Sequence, residues 1–164
     1  MPPSLTGVLA AHEVIVLDGC DGTGKTTIAE AMRAQHGYTV IHSGRTPDGT
    51  DIAGRYRDIL ARPGRIVLDR SFISELVYGP LFHGRSRLSH PDAVSLAAAT
   101  ASRGGVLVHL TGAPAAIITR LKSRDGTVPE AGIISALIDA YGAAFALLED
   151  IAPVLVADTT TTLE

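Results

Sequence analysis

Ten consecutive residues, Asp18-Gly-Cys-Asp-Gly-Thr-Gly-Lys-Thr-Thr27, hold the densest chemistry in this chain. Gly19 to Thr26 fit the phosphate-binding pattern GxxxxGK[ST] at every fixed position. Gly22 and Gly24 allow a turn whose backbone N–H groups point inward, without Cβ clashes. Together with the start of a helix, those N–H groups make an anion site. Lys25 would place a mobile ammonium on terminal phosphates, and Thr26 would offer a hydroxyl to Mg²⁺. Gly19, Asp21, Gly22, Thr23, Gly24, Lys25, Thr26 and Thr27 are therefore the candidate nucleotide-binding residues. The motif points to a nucleoside triphosphate. It says nothing about what receives a phosphoryl group.

A second chemical signal is Arg65-Ile-Val-Leu-Asp69, an apolar run that ends in a carboxylate. An Asp at a strand end can meet Mg²⁺ or its waters; it can equally cap the next helix. Arg70 follows directly and is a candidate phosphate contact, since Arg makes planar bidentate bonds to phosphate. Arg120 and Arg124 stand four apart, a spacing that puts both on one helix face. Asp21 is either part of the nucleotide site or a salt-bridge partner that holds Arg70 or Arg45. The six histidines show no ligand spacing and are read as surface or core.

Strands and helices must position these residues. Apolar runs at 13–18, 38–42, 65–69, 106–110 and 153–156 read as strands. Helical patterns fall at 25–36, 50–61, 72–79, 90–103, 114–123 and 130–149. Gly37 closes the first of these and Pro80 is expected to stop the third. Residues 1–12 read as a loose leader, and the tail from Asp158 as polar and partly disordered at its end. Strands alternating with helices predict a three-layer α/β fold of the P-loop NTPase type, with a mainly parallel five-stranded sheet flanked by helices. The expectation is a single domain over 1–164, with its core at about 13–157. The turn-rich loop 43–50, at a strand end, lies where ligands bind in such sheets.

Bulk composition narrows the class. At 164 residues, with 46% apolar and 19% charged residues, the chain can bury a real core. A formal charge of −3 argues against general nucleic-acid coating. Yet 12 of the 14 basic residues are Arg, either as local phosphate sites or as a reflection of base composition. One cysteine, Cys20, excludes an internal disulfide, and oxidation of its thiol would block the phosphate loop. No signal peptide or membrane span is visible, so a cytoplasmic protein without a membrane partner is expected.

Three blocks carry a family resemblance. Residues 18–27 are similar to E-G-x-D-G-x-G-K-[ST]-T of the thymidylate kinase group of nucleoside monophosphate kinases and their deoxynucleoside kinase relatives, with Asp18 in place of Glu. Arg-Thr-Pro-Asp-Gly-Thr, 45–50, resembles that family's R-E-P-G-G-T. Asp69-Arg70-Ser71 resembles its D-R-[YHS] element, in which the acid faces metal and Arg faces phosphates. Arg120 to Arg124 resemble the lid, at about 120–130, and Tyr141 a tyrosine of the long helix.

The stretch before Asp69 is shorter than in that family. Residues 74–81, followed by Gly84-Arg-Ser-Arg-Leu88, look more like short phage-type kinases of deoxynucleotides, some of which act on a hydroxymethylated base in DNA. The resemblance implies ATP and Mg²⁺ as cofactors. It implies Lys25, Asp69, Arg70, Arg120 and Arg124 as catalytic residues, with Thr26 and Asp69 at the metal. Asp18, Arg45, Arg70, Glu75, Tyr78, Arg85 and Arg87 are candidate substrate contacts, with a solvated loop as the alternative for Arg45, Arg85 and Arg87 and packing as the alternative for Glu75 and Tyr78. A dTMP-like monophosphate is the expected acceptor. A hydroxyl acceptor, DNA included, is the alternative, and a nucleotide-binding switch a further one. Relatives are often dimers, which makes a homodimer a candidate assembly.

Overall fold

The computed structural model describes residues 4–43, 46–127 and 129–161. Five strands, β1 (Val14–Gly19), β2 (Thr39–His42), β3 (Ile66–Asp69), β4 (Val106–Thr111) and β5 (Val154–Asp158), form one sheet in the order β2-β3-β1-β4-β5. All four pairings are parallel. The α/β expectation holds, with the sheet wholly parallel.

The central strand explains the order. Every residue of β1 is buried, as a strand covered on both faces requires. Its side chains alternate between two cores. Val14 and Val16 pack with Leu68, Leu107 and the apolar faces of α3 (Ile52–Leu60), α4 (Ile73–His83), α5 (His90–Ser102), α6 (Pro114–Asp125) and α7 (Ala131–Ala146). Ile15 and Leu17 face α1 (Leu5–Leu9) and α2 (Lys25–His36) through Leu9, Ala29 and Met32. Each such side chain contributes about 1.5–3 kcal/mol on burial. A charge at Val16 would therefore undo the larger core.

Several boundaries depart from expectation for clear reasons. The leader is not loose over its described part: Ser4 caps α1 by accepting from the Gly7 N–H, and Leu9 is fully buried. Arg65 ties it down by donating to the Ala10 carbonyl while lying over the Tyr38 ring. Pro80 does not end α4, which runs on to His83. The loop after α4 folds back there, and a Cβ on Gly79 would sit 2.7 Å from the Arg85 carbonyl. The start of the tail is bonded to the sheet, Thr159 N donating to the Thr111 carbonyl and Thr160 to Asp158; its end, on which the expected disorder falls, is not among the described residues. Residues 162–164 lie outside the described part.

The loops after β1, β2 and β3 all leave the sheet at its carboxyl edge. In a parallel sheet of this kind that edge is the ligand side.

Candidate active site

Gly22 and Gly24 hold φ of 83° and 93°, the left-handed turn expected of a phosphate loop. A Cβ on Gly22 would also press to 3.0 Å from the Leu121 side chain, so the loop seats directly on α6. Thr23 Oγ1 donates to the Cys20 carbonyl at 2.7 Å and locks the turn. Lys25 is folded inward. Its Nζ donates to the carbonyls of Gly19 (2.7 Å) and Cys20 (3.0 Å). Burial pulls its pKa down, with Asp18 opposing that effect. Cys20 is buried, and burial pushes its thiol pKa up, which disfavours the reactive thiolate.

Thr26 and Asp69 converge, as the two halves of a metal site would. Thr26 Oγ1 donates to Asp69 Oδ2 at 2.7 Å. Asp69 does not cap the next helix, whose N-cap position is Phe72 with no side-chain cap bond. Two hard oxygen ligands at one point fit Mg²⁺, which takes few protein ligands and relies on phosphates and water for the rest. Among the described residues no cluster of three His, Cys, Asp or Glu could hold an ion alone. The same carboxylate oxygen lies 2.8 Å from His42 Nδ1, and His42 Nε2 lies 3.5 Å from Glu30. Sequence spacing gives His42 no ligand role. The β2–β3 register, which sets His42 opposite Asp69, brings it to the site.

Asp18 departs from its expected role as a substrate contact. Its side chain is fully buried. The carboxylate accepts from the backbone N–H of Gly19, Ser71 and Ser74 and from the hydroxyls of Ser71 and Ser74, all within 3.1 Å. Ser74 Oγ also meets Tyr141 Oη at 3.1 Å. A carboxylate this fully bonded organises the turn after β3 and has no free oxygen for a ligand. The turn is what aims Arg70, which adopts φ of 69°, unusual for a residue with a Cβ.

Two clefts open on this edge. One, of about 650 Å³, is walled by the phosphate loop, Arg120, Arg124 and Thr159. The other, of about 570 Å³, is walled by Ser43, Tyr56, Arg70, Glu75, Tyr78 and Arg85, among others. Arg70 lies over the Tyr78 ring at 5.3 Å. Arg87 also borders this cleft but is engaged. It bonds both Glu75 oxygens and the carbonyls of Thr46 and Pro47. Glu75 and Arg87 thus clamp α4 to the second loop, a positioning role that competes with direct substrate contact. Arg45 lies outside the described residues.

Among the described residues Asp21 pairs with Arg124 at 2.9 Å rather than with Arg70. Arg124 also bonds Asp125. That bond and the one to Asp21 raise its pKa, and Arg124 in turn lowers the Asp21 pKa. Arg120 donates to the carbonyls of Gly22 and Thr159, and Thr159 Oγ1 donates to the Thr23 carbonyl at 2.7 Å. The α6 arginines therefore reach the phosphate loop, and the chain after β5 braces it. Thr159 escaped the sequence reading because a threonine-rich tail carries no pattern. Only the neighbouring end of β4 gives it a place.

No protein-family model matches this chain, and comparison with curated proteins returns no match. Solved structures do match. The YorR protein from Bacillus subtilis, in complex with phosphorylated GDP, superposes with a TM-score of 0.78 at 21% identity, covering 89% of this chain and 85% of that one. Deoxyadenosine kinase from M. mycoides with bound dCTP gives 0.60 at 15% identity, with 92% of each chain covered. Shikimate kinase from Acinetobacter baumannii gives 0.55 at 15%, covering 97% and 89%. At these identities the shared property is the fold of P-loop kinases. The finer likeness to thymidylate kinases rests on the sequence blocks alone.

Proposed function

We propose that this protein is an ATP-dependent phosphotransferase whose acceptor is a deoxynucleoside monophosphate, dTMP-like in the first instance. The observation that carries this reading is the pairing of two clefts on one sheet edge, the first lined by Thr26, which bonds Asp69, and the second by Arg70, the residue next to Asp69. ATP would lie in the first cleft, its phosphates on the loop N–H groups and on Lys25 once that side chain turns outward. Thr26 and Asp69 would hold Mg²⁺, which supplies charge neutralisation on the outer phosphates when bound. Arg120 and Arg124 are within reach to balance charge on the moving group. Arg70 and Arg85 make the second cleft suited to an anionic acceptor. The matched deoxyadenosine kinase, with its bound dCTP, supports a nucleotide-handling role for the fold.

A phosphate monoester is largely ionised at neutral pH, its second pKa being about 6, so no strong base is required. Positioning and electrostatics then carry the catalysis. A hydroxyl acceptor is the second reading, supported by the likeness to shikimate kinase. It would need a base, and the choice narrows to Asp69, because the Asp18 carboxylate is already fully bonded.

The test is a coupled ADP-release assay across deoxynucleoside monophosphates, nucleosides, shikimate and hydroxymethylated DNA. Stimulation by a monophosphate alone supports the first reading; stimulation only by hydroxyl acceptors overturns it. ATP binding without acceptor-dependent turnover would favour a nucleotide switch. Lys25→Ala should lower turnover by at least about 100-fold with the circular dichroism spectrum intact.

A further inference from the structure

Two buried polar atoms, on residues that line the second cleft, lack hydrogen-bond partners among the described residues: Ser43 Oγ and Arg70 Nε. They are neighbours by construction. β2 and β3 run parallel with His42 opposite Asp69, and Ser43 N donates to the Asp69 carbonyl at 3.0 Å. Ser43 and Arg70 are the next residues of each strand, side by side where the ladder ends. Ser43 is only 5% exposed, yet it lines the cleft. It lies beside the Tyr56 phenol, where it opposes the rise that burial gives that group's pKa. Arg70 holds a left-handed backbone to reach the same place.

Buried polar groups are almost always paired, so two unpaired ones on residues bordering one cleft ask for a partner. The Arg70 N–H can only donate, and the Ser43 hydroxyl can turn to donate beside it. Side-by-side donors, one of them charged, complement an anionic oxygen. Two carboxylates line the cleft: Glu75 is paired with Arg87 at 3.0 Å, and the exposed Asp48 lies 3.9 Å from the same guanidinium.

We infer that Ser43 Oγ and Arg70 Nε form a seat for one oxygen of the acceptor's phosphate monoester, and that Ser43 is a specificity-determining residue favouring phosphorylated over uncharged acceptors. This rests on the monophosphate reading above and adds to it a residue that neither the motifs nor the family resemblance assigns.

The experiment measures binding of dTMP, dCMP, dAMP, dGMP and the four matching nucleosides by calorimetry, in the wild-type protein, Ser43→Ala and Ser43→Thr. The tightest monophosphate should weaken about tenfold in Ser43→Ala, as expected for a lost bond to a charged group. Its nucleoside and ATP should stay within about twofold of wild type, and Ser43→Thr should keep most of the affinity. Ligand-free Ser43→Ala should melt about 2–4 °C higher, because an unmet buried hydroxyl is gone. A structural serine would lower the melting temperature instead.

The seat is overturned if Ser43→Ala binds the monophosphate as wild type does, or if it loses the nucleoside equally. If wild type phosphorylates a monophosphate but Ser43→Ala binds it unchanged, only the seat falls. If wild type binds nucleosides and no monophosphate, both readings fall.

Discussion

Thr26 Oγ1 donates to Asp69 Oδ2 over 2.7 Å, joining residues from β3 and from the start of α2 across 43 positions of sequence. His42 meets the same oxygen from β2. One carboxylate oxygen thus gathers three elements at the sheet's carboxyl edge. Replacing it should separate metal binding from nucleotide binding. Asp69→Asn keeps an oxygen for Thr26 but loses the charge. ATP binding in EDTA should then match wild type, while the gain in affinity on adding Mg²⁺ falls by about tenfold or more. Titration calorimetry with and without Mg²⁺ checks this; an unchanged Mg²⁺ gain would remove Asp69 from the metal site.

Asp18 is the stability counterpart. Its buried carboxylate accepts from Ser71, Ser74 and Gly19. Asp18→Ala would strand several buried donors, each at about 1–3 kcal/mol. A loss of about 3 kcal/mol or more is expected, seen as a fall of about 10 °C in melting temperature. A loss below 1 kcal/mol, on the order of a surface substitution, would contradict the network.

The Asp21–Arg124 pair should behave in the opposite way. Both side chains are more than half exposed, at 55% and 54%, so the pair adds under about 1 kcal/mol. Arg124→Ala should leave chemical denaturation nearly unchanged while turnover drops about tenfold or more, if its charge serves the transferring group. Equal small changes in both would make the pair a surface ornament.

His109 gives a pH signature. It stacks on Phe145 at 4.7 Å, and burial lowers its pKa below the ordinary 6.5. In acid the unfolded chain protonates this imidazole first and binds more protons than the folded one. Its stabilising contribution is therefore complete above pH 6.5 and is lost as pH falls towards the lower folded value. Facing it are Asp18, which opposes the shift, and the rings of Tyr141 and Phe145. His109→Phe should flatten the fall in melting temperature between pH 7 and pH 5 relative to wild type. A parallel fall in both proteins would show that other groups dominate.

Local pattern made much of this molecule legible. The phosphate loop, its strand and its helix fall where GxxxxGK[ST] and apolar periodicity put them, because a strand–turn–helix needs only neighbours in sequence. Gly37 closes α2 in a left-handed turn for the same reason. Pro80 sits inside α4, whose run on to His83 its local penalty does not foretell. Asp18 misled as well: a carboxylate beside a phosphate loop looks like a ligand contact until Ser71 and Ser74 are folded onto it.

By itself, then, the sequence determined the order of strands and helices and the phosphate-loop chemistry, since both rest on backbone preference and side-chain period over short spans. Tertiary structure decided the partners: His42 and Thr26 on Asp69, Arg124 on Asp21, Thr159 on the phosphate loop and Ser43 beside Arg70. Those pairings depend on sheet register and on the order β2-β3-β1-β4-β5. Register is set by how both cores close around the whole sheet, a property that no single stretch of the chain contains.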